Sequence, residues 1–258
     1  MRALSFGGHR SFRQPGVAIA LTNPGEAEMH ADHNIRRYVE RWFWTLDDLA
    51  DAVGVTPARV EQLIAAHCAP GPIYALGDDG WWSALGTQGL PPAGEHWYSP
   101  GAAWGLRQAE LAARGGASPT EAAVMLRDRF AEAFVMALGH QRHARSAFGT
   151  CFSGDAVDPQ AARAAAHDEW ASWIQGGYGV CLRVFTAETC VAKESLGAWL
   201  KAAIGEPGQD AADSLADAEQ LAGLLLPFAP WQRPVGTPGR TIDRLLRDLR
   251  LGDDRPYA

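Results

Sequence analysis

Three histidine-containing groups and one glycine turn hold the residue types that could do chemistry in this chain. His30-Ala-Asp-His33 and His140-Gln-Arg-His143 are H-x-x-H pairs. On a helix, imidazoles three residues apart share a face and can ligate one metal ion. His140 and His143 also stand with Arg142 and Arg145 near the expected end of a long helix. Cations there are stabilised by the helix dipole and the orphan carbonyls, which explains the pair without metal. Metal is therefore not favoured, and His140 with His143 is kept as the alternative. His167-Asp168-Glu169 puts an imidazole beside two carboxylates, which suits proton transfer at neutral pH. The plainer reading is a solvated helix face. Gly176-Gly177-Tyr178-Gly179 is a tight turn where backbone N–H groups can converge. It matches neither the dinucleotide fingerprint nor a P-loop, so a helix stop is its ordinary use.

Trp170, Trp173, Tyr178 and Arg183 surround these groups in sequence and are the expected substrate-binding residues. Ten tryptophans in 258 residues are many. Most will pack in a core, while the rest can wall a small-molecule pocket between two halves of the chain. Cys68, Cys151, Cys181 and Cys190 are far apart with no CxxC, so neither a zinc knuckle nor a disulfide framework is written here. Only Arg183 stands near Cys181 and Cys190 to lower a thiol pKa, and inert buried thiols are expected.

The elements that must position these residues are mostly helical. Ile35, Tyr38, Val39, Trp42 and Phe43 repeat with helical spacing. Thr45 caps a helix over residues 46–53 that closes at Gly54, and Thr56-Pro57 starts another to about His67. Residues 73–76 and 81–85 flank a Gly77-Asp-Asp-Gly80 turn and read as a hairpin. Ser99-Pro100 opens a helix to about Arg114, and Ser118-Pro119-Thr120-Glu121 is a capping box for a long one carrying Leu126, Phe130, Phe134 and Leu138. Asp158-Pro159 opens the helix that carries His167 to Trp173. Tyr178 to Phe185, rich in β-branched and aromatic residues, predicts a strand. Thr186 caps a helix to about Ile204, and two more are expected near 211–226 and 238–251. The fold class is mainly α: a winged helix-turn-helix subdomain packed on a helical bundle with one or two short strands. The divisions are an arm over 1–28, the subdomain over 29–85, a linker over 86–100 and a helical domain over 101–258.

At 47% hydrophobic and 21% charged residues the chain can bury a sizeable core. No continuous apolar leader region opens it, and no run approaches 18 apolar residues. A cytoplasmic protein with no membrane role is expected. Two of the 23 basic side chains are lysines, a bias that suggests a GC-rich bacterial genome. The formal charge is −7. Over 29–85 four arginines face eight acids, whereas neutralising about six phosphates takes about as many positioned cations. A nucleic-acid partner is not expected, and a homodimer is left open.

Residues Trp44 to Ile64, with Cys68-Ala-Pro-Gly-Pro-Ile-Tyr74, resemble a MerR-like winged helix-turn-helix. Together with His167-Asp-Glu-Trp170 and Gly176-Gly-Tyr-Gly-Val-Cys181, they resemble a bacterial family of unknown function associated with natural-product biosynthesis. That resemblance implies a pathway context and carries over no catalytic residue or cofactor. The expectation is an intracellular biosynthetic protein, an enzyme of unspecified reaction type. It acts on a small amino-acid-like or peptidic metabolite, with His167, Asp168 and Glu169 as its catalytic residues. The alternatives are a pathway-specific regulator using helix 57–67 and a non-catalytic partner protein. The cofactor is unknown.

Overall fold

The computed structural model describes residues 34–78, 80–85, 90–204 and 211–249. The expected arm over 1–28 and the His30–His33 pair lie outside them. Residues 34–42 are the described part of a first helix, α1, and the periodic residues Ile35, Tyr38, Val39 and Phe43 are buried. α2 (Leu46–Val53) is set by a capping box: the Thr45 hydroxyl accepts from the Asp48 amide at 3.1 Å, and the Asp48 carboxylate accepts from the Thr45 amide at 3.0 Å. Gly54, at φ 80°, lets the chain turn directly into Thr56, which caps α3 (Pro57–Ala65).

β1 (Tyr74–Gly77) and β2 (Gly80–Ser83) form the expected hairpin, with Leu76 opposite Trp81. A third strand, β3 (Glu95–Trp97), pairs with the other edge of β1 and lies inside the stretch expected to be linker. β1 is thus the central strand of an antiparallel sheet ordered β2-β1-β3, and Tyr74 and Ala75 are fully buried. The order helix, turn, helix, hairpin is present. Its first helices pack inward on α4 (Ala102–Arg114), where Arg59 Nε donates to Glu110 Oε1 at 2.5 Å. The one arginine of α3 therefore faces the protein interior side of its helix, on another helix.

α5 (Pro119–His140) begins at the Ser118–Glu121 capping box, with both reciprocal bonds made. α6 (Ala144–Phe148), a short 3₁₀ turn and the two-residue strands β4 (Phe152–Ser153) and β5 (Ala156–Val157) connect it to the next helix. α7 (Pro159–Ile174) starts at Asp158, whose carboxylate accepts from the amides of Gln160 and Ala161. α8 (Ala187–Ala203) and α9 (Ala211–Leu224) follow. The last expected helix is broken at Thr241 (φ −123°, ψ −80°) into α10 (Thr237–Arg240) and α11 (Ile242–Asp248).

The predicted strand over 178–185 is not formed. Three glycines at 176, 177 and 179 allow the chain to coil, and the amides of Cys181 and Leu182 both donate to the Tyr178 carbonyl. Local β-propensity loses there to a turn that buries Tyr178, Val180 and Leu182. Only Leu182 keeps an extended pairing, with Leu225.

The larger apolar cluster fills the bundle of α4, α5, α7 and α8 and includes rings of Phe130, Trp173 and Phe185. Phe185 stacks on Trp173 at 4.5 Å and on Phe130 at 5.0 Å. α4 comes close because residue 105 is glycine: a Cβ there would lie 2.5 Å from the Cys68 carbonyl oxygen and 2.7 Å from Trp173. A second cluster joins α1 and the sheet to Val180, Leu226 and Ala229. No helix among the described residues is long and apolar enough to cross a membrane.

Candidate functional site

α7 ends at Gln175, and Gly176, at φ 89°, turns the chain so that Tyr178 points back under the helix it has just left. Its ring is 4% exposed. The hydroxyl lies within hydrogen-bond distance of Glu169 Oε2, nine residues earlier on α7, and 2.9 Å from Glu194 Oε1 on α8. Lys193 Nζ donates to the same Glu194 oxygen and sits 4.9 Å from the centre of the Tyr178 ring. Side-chain exposure is 12% for Lys193 and 33% for Glu194, so the cluster meets water on the Glu194 side.

A phenol has one proton. It cannot donate to two carboxylates, so both contacts are hydrogen bonds only when one carboxyl is protonated and donates to the phenol oxygen. Glu169 is the group suited to hold that proton. Burial pushes its carboxyl up to about 7, the Tyr178 hydrogen bond opposes the shift, and the nearby Glu194 charge adds to it. Glu194 instead has Lys193 as a counter-ion. Burial alone would lower the Lys193 ammonium, but the Glu194 charge and hydrogen bond outweigh it and hold the pKa above the ordinary lysine value. Near neutrality two arrangements therefore have comparable weight. With Glu169 protonated, the proton order runs Glu169 to Tyr178 to Glu194; with Glu169 ionised, Tyr178 reverses and donates to Glu169. That is a proton relay between a largely buried carboxyl and one open to solvent.

Burial holds the thiols of Cys181 and Cys190 above the ordinary cysteine value, and both are buried behind Tyr178 and Lys193. This agrees with the expectation of inert thiols.

The structure brings together only part of the sequence-predicted set. Glu169 and Tyr178 meet. His167 and Asp168 are exposed on α7, since successive helical residues point about 100° apart. Trp170 and Trp173 are packed in the core, 5% and 1% exposed, with their rings 4.8 Å apart. Arg183 is exposed and lines a cleft with Leu225, Leu226, Pro227 and Ile242. Every residue lining that cleft lies between 183 and 242, inside the C-terminal half. Lys193 and Glu194 were not singled out in the sequence.

His140 and His143 do not share a helix face. α5 stops at His140, and Gln141 is extended (ψ 121°). His140 Nδ1 lies 2.8 Å from the Met136 carbonyl on its own helix. His143 is 9% exposed and stacks on Trp199 at 4.3 Å and 8°. Its Nε2 is 3.0 Å from Asp217 Oδ2 of α9, and Arg142 reaches both groups. The i, i+3 spacing on which the metal alternative depended is thus undone by the helix end. No group of three or more metal-ligating side chains occurs among the described residues.

A protein family of unknown function, DUF6058, matches residues 126–250. That span contains the Glu169–Tyr178–Glu194–Lys193 cluster, the His143–Asp217 pair and the cleft, and it excludes α2, α3 and the three-stranded sheet. No curated protein and no solved structure matches the chain.

Proposed function

We propose that this protein is an acid–base catalyst of a bacterial biosynthetic pathway, acting on a small amino-acid-like or peptidic metabolite. Glu169 is the group that takes and gives the proton. The supporting observation is the carboxyl held near pKa 7 against a single Tyr178 hydroxyl that a second carboxylate also contacts. A general base or acid works best when its pKa lies near the working pH. Glu169 meets that condition, and Tyr178 and Glu194 give its proton a route to solvent. Lys193 donates to the Glu194 oxygen that the Tyr178 hydroxyl also contacts, so the relay ends at a carboxyl with a cation beside it. His167 and Asp168 are exposed on α7, and no hydrogen bond joins them to this cluster. The natural-product context comes from the sequence resemblance.

The test is complementation. A strain lacking the gene is supplied with wild-type protein or with Glu169→Gln, and its metabolites are profiled by mass spectrometry. The glutamine variant is expected to fold and to restore no product. Full restoration by Glu169→Gln overturns the assignment.

A further inference from the structure

We propose that the cleft lined by Leu225, Leu226 and Ile242 binds a small apolar carboxylate, with Arg183 as its anion partner. Two arginines, Arg183 and Arg233, line this cleft. The Arg233 guanidinium is closed in a two-point contact with Asp243, at 2.9 and 2.7 Å. The Arg183 side chain is exposed and makes no hydrogen bond or ion pair with any described residue. A free planar cation in a cleft otherwise lined largely by apolar residues selects a ligand with a carboxylate at one end and an apolar body at the other. An amine in the same place would be repelled, and a neutral polar molecule would leave the apolar lining poorly covered.

The cleft is joined by backbone to the proton relay. The Arg183 amide donates to the Leu224 carbonyl at 3.1 Å, and the Leu226 amide donates to the Cys181 carbonyl at 2.9 Å. Both bonds fasten the cleft wall to the turn that begins at Tyr178. Cys181, in that turn, feels the charge of Lys193 from the relay and of Arg240 from the helix whose Pro238 borders the cleft. The inference deepens the acid–base reading by giving its substrate an end group, and it rests on that reading for the ligand's fate but not for its binding.

N-acetyl-L-leucine and its amide serve as probes, titrated into the full chain and followed by NMR of leucine methyl groups and by calorimetry. The acid is expected to shift Leu225 and Leu226, and Arg183→Ala is expected to weaken it at least about tenfold, the ordinary loss for a hydrogen-bonded charge. The amide should be weaker by a similar factor. Equal binding of acid and amide, equal binding to Arg183→Ala, or no shift up to the probe's solubility limit overturns the proposal. Glu169→Gln should bind the acid as wild type does. If it does so while also restoring product in the strain, the cleft stands and the assignment of Glu169 falls. Loss of product without any probe binding has the opposite meaning.

Discussion

Two polar clusters in the C-terminal half take titratable side chains out of water, and they differ in whether that burial is compensated. Around His143 the imidazole has a carboxylate at 3.0 Å, an indole stacked on its face and an arginine at its edge. Asp217, equally buried, has both His143 and Arg142 as donors. Each group there has an opposite charge or a donor, and the cluster ties α6 to α8 and α9. Around Tyr178 two carboxylates meet one hydroxyl, and the single lysine is taken by Glu194. Glu169 is left to bear its desolvation, and its pKa rises to about 7. A buried charge that is fully answered acts as structure. One that is answered only by holding a proton is ready for chemistry, at some cost to stability.

The contrast predicts opposite responses to mutation. Asp217→Ala should cause the largest change. It removes the carboxylate on which His143 and Arg142 both depend, and a loss of about 3 kcal/mol in unfolding free energy is expected, as for other broken buried pairs. Urea denaturation at pH 7 measures it. A loss below about 1 kcal/mol would mean that the pair is as weakly held as a surface contact, and the contrast would fail.

Glu169→Gln should do the reverse, and only at higher pH. The folded-state pKa of about 7 lies above the ordinary glutamate value of 4.5, so the folded protein holds the proton more tightly than the unfolded chain. Stability from this group is present below about pH 4.5 and is lost as pH rises through 7. At about 1.4 kcal/mol per pKa unit the loss is at most about 3.5 kcal/mol, and well below that to the extent that water reaches the carboxyl. Glutamine has no such titration. Its stability relative to wild type should be near zero at pH 4.5 and positive at pH 8, measured as paired denaturation curves. A difference that does not change with pH would show that Glu169 titrates normally.

The local devices of this fold were legible in the sequence, and the clusters were legible only in part. Thr45 with Asp48, Ser118 with Glu121, and Asp158 with Pro159 act within four residues, so each helix start could be read directly. Tyr178 and Glu169 drew notice as part of a turn and a polar run, but their meeting depends on Gly176 reversing the chain. The strand expected over 178–185 failed for the same reason. Lys193, Glu194 and Asp217 come from helices whose polar residues, in sequence, look like any solvated face. Their role follows from the packing of α7, α8 and α9, which no local pattern encodes. His140 and His143 were paired by spacing, and the helix end at Gln141 separated them.

The smallest expected effect settles what His143 does with its proton. Arg142 Nε lies 2.9 Å from His143 Nε2, and Asp217 Oδ2 lies 3.0 Å from that same atom. One ring nitrogen cannot accept from the arginine and donate to the carboxylate at once. The carboxylate has the stronger claim, because Asp217 is 9% exposed and needs a donor, whereas the Arg142 side chain is 58% exposed and has water. Nε2 therefore carries the hydrogen and donates to Asp217, and Arg142 adds a screened contact to both Asp213 and Asp217. Arg142→Ala should cost less than about 1 kcal/mol, the range of exposed ion pairs. The ¹⁵N shifts of His143 should report a protonated Nε2 in wild type and variant alike. A change of tautomer on removing Arg142 would show that the arginine was the donor, which would leave Asp217 buried against a lone pair. The His143 cluster would then be as incompletely answered as the one at Tyr178, and the distinction between them would have to be drawn from the number of proton-holding states rather than from compensation.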